Sequence, residues 1–402
     1  MAHKHVPTLQ DTRTTLDGLG PRVFATSLAV GLLGLGAAYG LGAAQGDGLR
    51  HFAFAYVLNF AFFLAISLGA LVFLGIMYVT RASWNVVIRR LAEVMAAVMP
   101  LLALMCIPVL LMTDRIYGWT DPAVAASHAM AHKAGYLNQG AFTLRWVIYF
   151  AVWSGYSLFY WRSSLAQDRT GDLAITRRFE NLSGFALMIC AICAALASFD
   201  LVMSIDPLWF STMFGVYYWA GGFVSFFAVL TLLTLGLQRT GRLTRIVSGE
   251  HLHDYGKAMF AFTFFWGYIA FSQYMLYWYA NIPEETAWYL LRSRNGWGEV
   301  ARATVFVTFA LPWLGLVSRW AKRNRKVLAF WAVWIIAAQW LQLYWVIMPA
   351  YSATAMFSLV AVACFFGIGG LWLAGVTRLA MGGSLVPTRD PRLEDSLRFE
   401  NA

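Results

Sequence analysis

Charge is scarce in this chain: Asp, Glu, Lys and Arg make up 12% of its 402 residues, while 60% are hydrophobic and 16% aromatic. Soluble domains carry about 25% charged residues, so a soluble globular chain is excluded. Cysteine is scarce too. The four cysteines, Cys106, Cys190, Cys193 and Cys364, all fall in apolar runs. That excludes a disulfide framework or an exposed thiol site and reads as small buried hydrophobes. None of the seven histidines (His3, His5, His51, His128, His132, His251, His253) lies in the middle of an apolar run, so bis-histidine haem inside a membrane is excluded. The only C-x-x-C, Cys190 to Cys193, is followed by Ala194 rather than His, which removes covalent c-type haem. Four thiols on three separate runs do not suit an iron–sulfur cluster. No G-x-x-x-x-G-K-[ST] loop occurs, so ATP-driven work has no support. The chain is expected to hold no metal and no redox cofactor of its own.

Long apolar runs are abundant. Ten stretches of about 20 residues are long enough to cross roughly 30 Å of hydrocarbon, near 23–43, 52–80, 91–112, 141–161, 182–203, 212–237, 257–280, 299–319, 327–348 and 354–376. The net charge of +10 is dispersed in short clusters between these runs, a pattern of topology and not of nucleic-acid binding. With ten spans, one set of loops and both termini hold 23 of the 30 Lys and Arg and the opposite loops hold 7. That asymmetry predicts an even number of spans with both termini cytoplasmic.

The expected organisation is a cytoplasmic segment 1–22, a ten-helix membrane domain 23–376 and a cytoplasmic tail 377–402. The first apolar run is longer than a signal-peptide core, so it is read as a retained helix although GLGAA at 40–44 mimics a cleavage site. The tail, with VPTRDPRLEDSLRFENA, reads as a loose polar segment or a partner-docking strip. The long loop from Thr113 to Gly140 reads as partner-binding. GLLGLG at 31–36 and GIGG at 367–370 read as small residues that let membrane helices approach closely. Asp200 and Pro207 share a seven-residue spacing with Gln342 and Pro349, and Arg145 and Arg302 both open a run. These matches suggest a parallel repeat of about 52–203 and 212–348.

An ionisable residue inside a span is a functional candidate by default. Topology puts Asp200 near the outer end of its helix and Asp206 in the following turn. Asp114, Arg115, Arg145, Glu284, Glu285 and Arg302 gather toward the same side, with Gln273 and Gln342 within spans. Such a carboxylate–arginine cluster can exchange protons with the outer water or receive them from a quinol. The same groups also read as helix ends: Asp206-Pro207 as a turn, Asn281-Ile-Pro283 as a helix stop, Asp114 as a cap. Glu93 stands alone on the inner half, either snorkelling to Arg89 and Arg90 or forming the inner mouth of a proton path. Asn59, Gln273, Gln339 and Gln342 either hold water or bridge helices. His128 and His132 share a helical face and read as a metal pair or a surface pair without a third ligand. Trp and Tyr crowd the span ends as an aromatic belt.

SFDLVMSIDPLWFSTMFGVYYWAGGF (198–223) and FSQYMLYWYANIPEETAWYLLR (271–292) resemble the NrfD-like membrane subunits of bacterial alternative complex III, a quinol:cytochrome c oxidoreductase, most of all the second such subunit, ActF. The resemblance implies an all-α integral membrane fold: two four-helix bundles in parallel repeat plus two flanking helices, in the bacterial inner membrane. It implies partners that carry the redox groups: a second NrfD-like subunit, an iron–sulfur protein, c-haem subunits, small membrane-anchored subunits and a terminal oxidase in some complexes, all among lipid. It also implies that the better-supported quinol pocket lies in the sister subunit and that this chain contains proton half-channels. Asp200, Asp206, Gln273, Glu284 and Glu285 lie within the matching motifs; Glu93, Arg145, Arg302 and Gln342 rest on topology. The expected function is a non-redox subunit that passes protons from the Glu93 side to the outer acids. A direct quinol site with Asp200 as proton acceptor and a scaffold for peripheral subunits are the alternatives. A lone transporter would show paired breaks, and Pro100, Pro108 and Pro312 do not correspond.

Overall fold

The structure, a computed structural model, describes residues 8–401; His3, His5 and Pro7 lie outside the described residues. Those residues form an all-helical, multi-pass membrane protein. In chain order the helices are α1 (Gly20–Ala43), α2 (Arg50–Val79), α3 (Val86–Ala97), α4 (Met99–Leu111) and three one-turn helices, α5 (Thr113–Ile116), α6 (Pro122–Ala125) and α7 (His128–Ala131). Then come α8 (Gln139–Thr170), α9 (Leu173–Leu201), α10 (Phe214–Arg239), α11 (Gly249–Ala280), α12 (Pro283–Leu291), α13 (Trp297–Thr304), α14 (Leu311–Gly315), α15 (Arg319–Arg323), α16 (Arg325–Ile347), α17 (Leu359–Ala380) and α18 (Leu393–Leu397). Among the described residues seven helical segments are long and apolar enough to cross a membrane: α1, α2, α3 running into α4, α9, α10, α16 and α17. The long helices α8 and α11 and the interrupted run α13–α14 lie over the other three apolar stretches read from the sequence.

The helix ends follow local chemistry. Asn138, Asp172, Asn324 and Ser358 each accept a backbone N–H in the first turn of α8, α9, α16 and α17, satisfying donors that a helix start leaves free. Asn281 closes α11 in the left-handed region at φ 48°, and Pro283 opens α12, so Asn281-Ile-Pro283 is a helix stop. In the eighth apolar stretch a π-helical turn, Val305–Ala310, precedes Pro312, which has no N–H to give. The indole of Trp334 donates to the Val307 carbonyl at 2.8 Å, and the Thr308 hydroxyl donates to the Ala338 carbonyl at 3.2 Å.

α2 is buried on every face and packs against α1, α3, α9, α10, α16 and α17, so it is the axis of the molecule. Around it the pattern is inside-out. α8 buries Phe142, Trp146, Tyr149, Trp153, Ser157, Tyr160, Ser164 and Gln167 at steps of three and four, while Leu144, Val147 and Ile148 face outward. Polar groups thus sit inside and aliphatic groups outside, as a bilayer demands. Asn59 bridges helices: it donates to the Ala55 and Ala361 carbonyls and accepts from Trp340, tying α2, α16 and α17.

α1 and α17 make the closest helix pair. A methyl on Gly34 would stand 2.6 Å from the Gly367 nitrogen, and one on Gly370 would stand 2.5 Å from the Gly31 nitrogen. The two glycine motifs therefore meet each other, and only backbone fits between them.

The tail expected to be loose is ordered. It folds back over the end of the molecule that carries both described termini, held by Ser396 bonded to the Trp84 carbonyl at 2.7 Å and Asn401 bonded to Lys257 at 2.7 Å. Its polar side chains find buried partners, which compensates the entropy of ordering it. The Thr113–Gly140 loop is likewise packed on its own chain: Tyr117, Trp119 and Met130 are buried, and Lys133 donates to the Pro207 carbonyl at 2.7 Å. Gly370→Val is expected to separate α1 from α17 and cost about 1–3 kcal/mol, the usual range for overpacking. Thermal unfolding in detergent should show the loss, with the exposed-position control Gly36→Val unchanged.

Candidate functional site

Two fully buried carboxylates lie at opposite ends of the helix group α3, α8 and α9. Arg145, at one end of α8, and Ser164, near the other, are separated by roughly 28 Å at 1.5 Å per residue; each serves one of the acids.

The first is Asp200, in the last turn of α9 and 0% exposed. Arg145 holds it in a two-pronged grip, Nε to Oδ2 and Nη2 to Oδ1, both 2.8 Å. Tyr149, one helical turn beyond Arg145, donates to Oδ2 at 2.8 Å. The remaining prong of Arg145, Nη1, donates to the Tyr136 carbonyl at 2.8 Å, and its guanidinium lies 3.7 Å from the Tyr136 ring centre. The Asp200 carbonyl accepts from Ser204 at 2.5 Å, and the Tyr117 hydroxyl donates to the neighbouring Leu201 carbonyl. Asp200 is thus a wholly buried carboxylate paired with an arginine that is 16% exposed and contacts the loop, the geometry in which a buried charge is tolerated. Tyr136 lies outside the long helices; burial and then the Asp200 charge push its hydroxyl up to about 12.

The second is Glu93 on α3, also 0% exposed. Arg89 and Arg90 precede it by four and three residues, so all three share a helical face. Arg89 Nε lies 3.3 Å from Glu93 Oε1 and Arg90 Nε 2.9 Å from Oε2. The second contact is close but out of line for a hydrogen bond, which leaves Oε2, Arg90 Nε and Arg90 Nη1 without hydrogen-bond partners. Both arginines reach further acids: Arg89 Nη2 to Asp390 at 2.5 Å and Arg90 Nη2 to Asp168 at 2.7 Å, with Ser164 at 3.0 Å. Tyr78, whose ring lies 5.0 Å from the Arg89 guanidinium, has a buried, unpartnered hydroxyl. Between the two acids polar groups are sparse: the Tyr160–Ser183 hydroxyl pair at 2.7 Å and the unpartnered indole N–H groups of Trp146 and Trp153.

The other sequence candidates go elsewhere. Asp206 occupies the turn before Pro207, half-buried. Burial pushes the Lys133 ammonium below its ordinary value, opposed by the Asp206 charge. Glu284 and Glu285 sit in the first turn of α12, where carboxylates complement the helix start. No hydrogen bond or ion pair joins either to Asp200 among the described residues. Arg302 pairs with Glu299 at 2.5 Å on a face where both are about 70% exposed, an arrangement worth little, and it takes no part in the Asp200 shell. Gln273 bridges Ser211 and Tyr289 at 3.1 Å each, and Gln342 donates to Tyr217 at 2.5 Å. Beside Gln342 and the unpartnered Gln339 oxygen is a void of about 10 Å³, room for one water. His128 and His132 stand edge to face at 6.1 Å, and no third His, Cys, Asp or Glu joins them among the described residues.

Sequence reasoning missed four partners. Tyr149 was legible as the residue one turn from Arg145. Asp168 and Asp390 carried no signal, since only the fold brings them to Arg90 and Arg89. Arg292 lies within the quoted aromatic motif, yet it is buried with its guanidinium on the Val346 and Trp288 carbonyls and 3.6 Å from the Trp288 ring centre. An apolar cavity of about 410 Å³ opens among α1, α2, α10, α16 and α17, lined by Val30, Phe62, Val229, Phe365 and Trp372.

No family model matches the chain, and no curated protein is significantly similar to it. Arg145→Ala should strand Asp200 as an unpaired buried charge and cost about 3–5 kcal/mol. Arg145→Lys should recover only part of that, because an ammonium cannot make the two parallel bonds. Thermal unfolding in detergent checks both; a loss below 1 kcal/mol for Arg145→Ala contradicts the ion-pair assignment.

Proposed function

We propose that this chain is a ten-span, non-redox subunit of a quinol-oxidising membrane complex of the alternative complex III kind, and that it conducts protons between the two faces. The observation that carries the reading is the pair of fully buried carboxylates, Glu93 and Asp200, held by arginines at opposite ends of one helix group. Buried ionisable groups in a membrane are costly and are kept where charge or protons move. The helices over the ten apolar stretches and the 23 to 7 division of basic residues support ten spans with both termini cytoplasmic. The order of α2 to α9 and of α10 to α16 is compatible with two parallel bundles, with α1 and α17 as the flanking pair.

The two ends have different chemistry. Asp200 is matched one to one by Arg145, so it exchanges a proton only when Arg145 lets go, which makes it a gate. At Glu93 three carboxylates face two guanidiniums, and the buried acceptor Oε2 has a charge partner but no hydrogen bond, which suits the loading of a proton. Electron transfer then belongs to neighbouring c-haem and iron–sulfur chains, with the second NrfD-like subunit beside this one. The 410 Å³ cavity, apolar apart from Thr26 and Ser27, suits a lipid acyl chain or the tail of a quinol; a quinol head group finds no acid or amide lining it. The single-water void beside Gln342 is too small for a quinone ring.

In the purified complex, Glu93→Gln should lower proton release per electron or coupled turnover by roughly a hundredfold, the low end of what a positioned proton-transfer group contributes. Asp200→Asn should lower it as well while leaving assembly intact. Unchanged proton yield and turnover in both variants, with normal subunit content, overturns the proton-path reading in favour of a scaffold.

A further inference from the structure

Residues 384–401 lie as a strap across the ends of α3, α8 and α9. The Leu385 amide donates to the Thr14 carbonyl at 2.6 Å, and the Thr388 amide donates to Asp168 at 2.7 Å. Arg389 donates to the Arg169 carbonyl, and Arg392 pairs with Glu180 on α9. Ser396 accepts from the Val87 amide, and Phe399 sits between Trp84 and His251. At the centre of the strap Asp390, 1% exposed, bonds Arg89 at 2.5 Å.

The charges around this point can be counted from every packed element. α3 supplies Arg89, Arg90 and Glu93; α8 supplies Asp168 and the hydroxyl of Ser164; α2 supplies the Tyr78 hydroxyl; the strap supplies Asp390. The other nearby charges are engaged elsewhere. Arg389 is turned to a carbonyl, and Arg392 shares Glu180 with Arg81, which is 72% exposed and screened by water. His251, on α11, bonds Ser248 through Nδ1 and has a buried Nε2 without a hydrogen-bond partner; its ring faces Phe399 of the strap, and no hydrogen bond or ion pair joins it to Glu93, Arg89, Arg90 or Asp390 among the described residues. The inner site therefore has three carboxylates and two guanidiniums, with Glu93 Oε2, Arg90 Nε, Arg90 Nη1 and the Tyr78 hydroxyl all buried and without hydrogen-bond partners. Of these atoms the arginine N–H groups are donors, and Arg90 Nε lies 2.9 Å from Glu93 Oε2 as its ion-pair partner; the place for one more proton is the acceptor Glu93 Oε2, in a site whose carboxylates outnumber its guanidiniums.

We propose that Asp390 makes this a proton-binding site shared between the helices and the C-terminal strap. With the strap seated, three carboxylates face two guanidiniums and the site takes one proton; with it lifted, two face two and the site takes none. Because the seated state binds the extra proton, falling pH favours seating, and rising pH favours release. The strap thus closes the inner mouth when the site is loaded. The inference rests on the reading of Glu93 as a proton site, but its test does not depend on turnover.

The measurement is infrared difference spectroscopy of the full-length chain in its membrane complex, counting protonated carboxyl groups. The wild type is expected to show one at this site. Asp390→Asn should abolish it, Asp390→Glu should restore it, and Arg89→Gln should raise it to two. The amide protection of Thr388 and Ser396, corrected for intrinsic exchange, should rise as pH falls in the wild type. That protection reads the strap without any variant, should Asp390→Asn fail to fold. No protonated carboxyl in the wild type, a signal unchanged in Asp390→Asn, or strap protection independent of pH overturns the inference. If the band follows this pattern while Glu93→Gln leaves proton yield intact, the shared site stands and the transport reading falls. If Glu93→Gln abolishes proton yield while Asp390→Asn leaves the band unchanged, transport stands and the strap's part in it falls.

Discussion

The rest of the structure depends on the cost of placing a charge where there is no water to solvate it. An ionised carboxylate in a low-dielectric interior is tolerated only when paired and hydrogen-bonded. Asp200 meets that condition with a two-pronged arginine and a tyrosine. The position of Arg145 on α8, the capping loop that supplies the Tyr136 carbonyl, and the turn through Ser204 all serve the same shell. The loop gives Arg145 the Tyr136 carbonyl, and the carboxylate is wholly buried while the arginine keeps 16% of its side chain exposed.

At the other end the same constraint gives a different arrangement. Glu93 is buried as deeply as Asp200, yet its two arginines are shared with Asp168 and Asp390, which come from α8 and from the tail. The packing of α2 between these ends leaves few polar groups in the middle, so the two acids are separate stations and not parts of one hydrogen-bonded chain. Stations of this kind fit the proposed role, in which protons are held and released while redox chemistry proceeds in neighbouring chains.

Much of the fold was legible because a bilayer forces a simple code. Long apolar runs and the glycine pairs in α1 and α17 are local in sequence, and each maps onto a helix or a close contact. Asp200, Glu93 and Arg145 stood out for the same reason, as ionic groups in or beside apolar runs. The partners did not. Asp390 lies in a polar segment whose composition resembles a loose tail, and only long-range folding brings it to Arg89. Arg302 was grouped with the outer acids because it opens an apolar run, but it pairs with Glu299, three residues away on its own helix. A one-dimensional reading assigns a side and a depth to each charge; it does not assign a partner.

The proposed role as a non-redox membrane subunit of a quinol-oxidising complex is tested most directly by gentle purification with subunit mass spectrometry and a visible spectrum. c-Haem and iron–sulfur chains are expected to co-purify with it, and the isolated chain is expected to have no visible absorption. A chain that purifies alone as a stable, active unit, or one that carries haem of its own, contradicts it.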